Sequence, residues 1–80
     1  MYKLTKVEAT NPASNQIKQG NTYKGKYVPS SLKVGERLYF VHGARYVLTS
    51  VIKKIEDHPT DKDTKVITTT YSIYHLTQLK

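Results

Sequence analysis

The chain is expected to be all-β, a single small β-barrel of about five strands. Two observations carry that expectation. Residues 32–79 (LKVGERLYFVHGARYVLTSVIKKIEDHPTDKDTKVITTTYSIYHLTQL) are dense in Val, Ile, Leu, Thr and Tyr, are broken by turn residues, and hold no convincing helical stretch. A chain of 80 residues also makes only one domain.

The elements follow in order. Tyr2–Ala9 (YKLTKVEA) alternates in part, with Leu4 and Val7 apolar, and reads as the first strand. Residues 10–20 (TNPASNQIKQG) are rich in Asn, Ser and Gln and read as a long loop, with room for a helical turn at 14–18 before Gly20 ends it. Residues 21–31 (NTYKGKYVPSS) are polar and basic. Pro29 cannot donate to a ladder, so this piece is expected as an edge strand or as more loop, giving a polar connection over about residues 10–31. Residues 33–35 then turn, with Gly35 suited to a positive φ.

Arg37–His42 (RLYFVH) is a strand by alternation, with Leu38 and Phe40 on one face and Arg37, Tyr39 and Val41 on the other. Residues 43–45 form a short hairpin turn. Residues 46–55 (YVLTSVIKKI) are apolar on both faces, as expected of a strand that bends or bulges to serve two sides of a barrel. A helix competes over 51–57, but β-branched Val51, Ile52 and Ile55 weigh against it. Residues 56–64 (EDHPTDKDT) are a polar hairpin loop, residues 65–70 (KVITTT) a β-branched strand, and residues 73–79 the closing strand after a tight turn at Tyr71 and Ser72.

Composition narrows the setting. A chain this short buries only ~60% of its unfolded surface, so its stability margin is thin. It has no Cys, which excludes disulfides and thiolate metal sites and suits a reducing, cytoplasmic setting. Homo-oligomerisation is one remaining way to compensate. No apolar run approaches ~18 residues, so no membrane span or membrane partner is expected. The start, MYKLTKVEATNPAS, has no apolar h-region, so no secretory signal is expected. The net charge of +7 is uneven: residues 1–55 carry ten Lys/Arg against two Glu, while residues 56–80 carry three Lys against four acids. The basic part suits nucleic acid, a nucleotide or an acidic protein surface; solubility alone is the plainer explanation.

The order of strand, long loop, turn, meander and closing strand resembles an SH3-like barrel, with residues 32–40 (LKVGERLYF) similar to the turn and second strand of that class. An OB-like barrel is the alternative. Thr49, Ser50 and Val51, and then Thr69, Ser72, Tyr74 and Leu76, resemble sequence words of small proteins from bacterial phages and mobile elements. That resemblance implies a bacterial host cytoplasm and an inhibitor acting on host or defence machinery, such as a CRISPR or nucleotide-signalling protein.

The candidate ligand residues form a basic and aromatic set: Tyr23, Lys24, Lys26, Tyr27, Lys33, Arg37, Tyr39, Arg45, Tyr46, Lys53 and Lys54. Cationic groups neutralise phosphate, and aromatic faces stack bases. With Leu38 and Phe40 inward, Arg37 and Tyr39 point outward together, with Arg45 expected beside them. The competing explanation is that Tyr is a good strand residue and Lys protects edges from aggregation. Glu56, Asp57, His58, Asp61 and Asp63 lack the spacing of a calcium loop and read as a solvated hairpin whose acids complement Lys53, Lys54 and Lys65. No pair among His42, His58 and His75 has helical zinc spacing, although His42 and His75 are expected near each other at strand ends. No metal or other cofactor is expected. Nucleophile elbows and phosphate-binding Gly-rich loops are missing, so an enzyme is not expected.

Overall fold

The computed structural model describes residues 1–9 and 22–79. Among the described residues six strands form a closed barrel in the order β1 to β6. They are β1 (Tyr2–Ala9), β2 (Thr22–Tyr27), β3 (Arg37–His42), β4 (Arg45–Asp57), β5 (Thr64–Thr69) and β6 (Ser72–Gln78). Each strand is antiparallel to the next in sequence, and β6 closes on β1. This sequential order has no Greek-key crossover of the kind an OB barrel requires. No helix among the described residues is long and apolar enough to cross a membrane. The expected loop at 10–20, with its helical turn, lies outside the described residues.

The strand beyond the expected five is β2, and it is not an edge. Thr22 to Gly25 pair with β1, while Lys26 and Tyr27 pair with β3. Pro29 falls just past the strand and opens a short 3-10 turn (Pro29–Ser31), where its missing N–H costs nothing. The switch of partners occurs at Gly25. A Cβ there would lie 1.9 Å from the Val41 carbonyl oxygen, so only glycine lets β2 and β3 approach this closely. Gly35 and Gly43 turn the chain at φ 94° and 63°.

The long β4 bends as its two-sided apolar pattern implied. It serves β3 as far as Val51 and β5 from Ile52 onward. Each pairing is irregular, with an extra β4 residue between Leu48 and Val51 and another between Ile52 and Lys54. Thr49 occupies the first irregularity. Its hydroxyl accepts from the Leu38 amide at 3.0 Å and donates to the Ser50 carbonyl at 2.8 Å, so the disrupted ladder keeps its hydrogen bonds.

The barrel interior holds Leu4, Leu38, Phe40, Ile52, Ile67, Tyr74 and Leu76, with Tyr2, Tyr23, Tyr27, Leu32, Val47 and Ile55 packed against them. The alternation read from RLYFVH is realised, with Leu38 and Phe40 buried and Arg37, Tyr39 and Val41 exposed. Lys6 is also buried, opposite Tyr74 in the β1–β6 register. Burial lowers the pKa of its ammonium and raises that of the Tyr74 phenol. A register shift between Lys6 and Glu8 explains why Leu4 and Val7 looked out of phase in sequence.

Candidate binding face

The outer face of β2, β3 and β4 collects part of the expected basic and aromatic set. Register places Lys26 opposite Val41, and Val41 opposite Tyr46, so these three form one row across three strands. Tyr39 lies one outward position along β3, opposite Leu48. Its ring stacks on Tyr46, with centroids 5.1 Å apart and planes 19° apart. Tyr46 is 61% exposed, so much of its ring is available to a ligand. Lys24 precedes Lys26 by two residues and shares its exposed side of β2. Arg37 marks the other end of β3, where its Nε donates to the Thr49 carbonyl at 2.8 Å. That bond holds the guanidinium against β4 while leaving the residue exposed. No acid occurs in β2, β3 or β4 before Glu56.

A groove of about 500 Å³ adjoins this row. Met1, Val28, Pro29 and Val41 give it apolar walls, and Lys24 and Lys26 also line it. The groove was not legible in sequence. Its only signal was Val41, read as an outward apolar residue on an otherwise polar face.

Of the other expected residues, Tyr27 also lines the groove, and the rest are dispersed. Tyr23 and Tyr27 alternate inward, opposite in sense to Lys24 and Lys26. Tyr23 packs on His42 at 4.5 Å, and Tyr27 meets Tyr2 edge-on at 4.9 Å. Burial, helped by a hydrogen bond with Tyr2, raises the Tyr27 pKa. Lys33 sits in the turn before β3. Arg45 pairs with His42 whereas Arg37 pairs with Val51, so the two arginines stand at opposite ends of β3 instead of side by side. At ~3.4 Å per residue they are about 17 Å apart along the strand. Lys53 and Lys54 fall on the half of β4 that serves β5, and Lys54 pairs with Glu56 at 3.1 Å.

The acidic hairpin is occupied with its own structure. Asp57 pairs with Lys65, and Asp61 accepts from the Asp63 amide and the Thr64 hydroxyl. Among the described residues no three His, Cys, Asp or Glu side chains are grouped to hold a metal ion. His75 meets His58, with ring centroids 5.1 Å apart, and not His42. The reason is topological: β6 lies between β1 and β5, while β3 lies between β2 and β4.

His75 makes the fold sensitive to acid. His58 Nδ1 accepts from the backbone amides of Thr60 and Asp61, which holds its ring in place beside His75. Burial first, and then the neighbouring His58, lower the His75 pKa. Below the ordinary value of about 6.5 the unfolded chain takes a proton that folded His75 resists. Stability is therefore full above that value and is lost as pH falls through the folded one. Asp61, lowered by its bonds from Thr64 and Asp63, adds a separate loss only below about pH 4. Melts from pH 7.5 to 5 should show a falling Tm, and His75→Gln should flatten the fall. A parent Tm that is constant over that range would remove His75 from the account.

No protein-family model, curated protein or solved structure matches the chain.

Proposed function

We propose that this protein is a non-enzymatic binding module whose β2–β3–β4 face takes an anionic ligand bearing a planar base, a nucleic acid or a phosphorylated nucleotide. The observation that carries this reading is the exposed Tyr39–Tyr46 stack in line with Lys26. Strands lie ~4.8 Å apart, so Lys26 and Tyr46 are about 10 Å apart at their Cα atoms. Two long side chains can bridge that gap to the phosphate and the base of one nucleotide. No carboxylate lies on these strand segments, and the acid nearest to them in sequence is Glu36, just before Arg37, so cations dominate the face.

Binding should follow both chemistries. Tyr46→Ala should weaken it by ~1–3 kcal/mol, the value of one stacked base. If Lys24, Lys26 and Arg37 each neutralise one phosphate of a single strand, log K should fall against log salt with a slope of about −2. Lys26→Glu should weaken binding and flatten that slope. Lys53→Glu makes the same change in net charge away from the face and should do less. Anisotropy titrations over about 50–200 mM salt measure all of these. Equal losses in the two lysine variants would reduce the effect to net charge and remove the face. If no nucleotide or nucleic acid binds at low salt, docking on a host or defence protein takes the place of this reading.

A further inference from the structure

The groove beside the tyrosine pair extends the site beyond one nucleotide. We infer that the ligand is a single-stranded nucleic acid, with one base on Tyr46, a neighbouring base in the groove at Met1, Val28, Pro29 and Val41, and the backbone between them held by Lys24 and Lys26. This rests on the face proposed above.

Three observations support the extension. Val41 belongs both to the Lys26–Val41–Tyr46 row and to the groove wall, so the two subsites are continuous. The groove, at about 500 Å³, falls within the size range of ligand sites. Its lining combines apolar side chains with two lysines and no acid. Apolar walls suit the faces of bases, and paired cations suit the phosphates that link them. The tyrosines add the preference for a single strand. A ring can stack only on a base whose face is open, and pairing within a duplex stack hides that face.

The test uses thymidine monophosphate, a thymidine hexanucleotide, the corresponding uridine hexanucleotide, and a duplex containing the thymidine strand. Each is titrated at low salt against the parent, Tyr46→Ala, Val28→Glu and Lys53→Glu. Val28 is 38% exposed and contributes its backbone amide, not its side chain, to the ladder with Tyr39, so its substitution should melt like the parent. One or both hexanucleotides should bind the parent at least about tenfold tighter than the monophosphate, as one additional stacked base implies. Val28→Glu should lose that gain and keep the affinity for the monophosphate. Lys53→Glu, a larger change in charge but away from the groove, should retain the gain. The duplex should bind more weakly than its single strand.

The ways of failing are separable. A hexanucleotide no tighter than the monophosphate, or a gain that survives Val28→Glu, overturns the groove subsite and leaves the tyrosine face standing. A duplex that binds as tightly as the single strand overturns the single-strand assignment. Tyr46→Ala without effect on any ligand, or a parent that binds none of them, overturns the face itself.

Discussion

Gly25→Ala is expected to abolish cooperative folding, or at least to lower Tm by more than about 15 °C. The added Cβ would stand 1.9 Å from the Val41 carbonyl oxygen, 2.9 Å from its carbon and 3.0 Å from the His42 Cα. All three are backbone atoms, so no side chain can turn aside. To accommodate a methyl group, β2 and β3 must separate by about 1 Å, in an interior packed as densely as a crystal. The strands are least able to separate here. Lys26 pairs with Val41 immediately beyond Gly25, and β2 has only two residues in register with β3. Losing that seam opens the barrel, exposing the core on one side and a strand edge on the other. A domain of 80 residues has only ~4–12 kcal/mol of stability to lose. Thermal melts followed by far-UV and tyrosine circular dichroism decide the matter. A parent-like Tm would mean that β2 and β3 need not approach so closely.

This seam is also where the sequence was least legible. Around Gly25, TYKGKY offers a lysine on each side and Pro29 shortly after, which are the marks of an edge. Its alternation was present, with Tyr23 and Tyr27 on one side and Lys24 and Lys26 on the other, but without the aliphatic residues that announce a core strand. By contrast, RLYFVH declared both faces, because its large apolar residues keep a strict period of two. Lys6 shows a different limit. Period two from Leu4 places Lys6 inward, against what its charge suggests, and the bulge just beyond it, which puts Val7 out of phase, leaves no signature in one sequence.

The candidate site divides along the same line. Val41 faces Tyr46 because a two-residue turn at Gly43 and Ala44 sets the β3–β4 register; such a turn can be read locally, although it is one residue shorter than the turn expected over 43–45. Lys26 faces Val41 through a connection that includes the 3-10 turn and residues 32–36, whose geometry no short-range rule supplies. The Tyr39–Tyr46 pair was therefore within reach of sequence reasoning, whereas its alignment with Lys26 was not. The same reasoning separates Arg37 from Arg45. Antiparallel pairing carries β4 away from the hairpin, so residues near the turn meet the end of β3 and not its beginning.

Phe40→Ala should cost ~3–5 kcal/mol, the range for emptying a buried aromatic site. Phe40 is fully buried, with Tyr27 opposite it on β2 and Val47 opposite it on β4. Its ring thus joins the two strands that flank it, one of which is already held by the short seam at Gly25. Both neighbours are anchored in ladders, and Tyr27 is further fixed edge-on to Tyr2, so the vacated space cannot close by a simple side-chain rotation. At 4–8 °C per kcal/mol for a domain of this size, Tm should fall by more than about 12 °C. Leu38→Ala, on the same inward face, should cost ~2–5 kcal/mol for the same reason. Tyr39→Ala lies between them in sequence but points outward. It should forfeit little beyond its stacking on Tyr46, ~0.5–1.5 kcal/mol. Melts of the three variants thus read the alternation directly. Two large losses around a small one place the core and the binding face on opposite sides of β3. Three equal losses would mean that Tyr39 is a structural residue, and the exposed aromatic face would lose its basis.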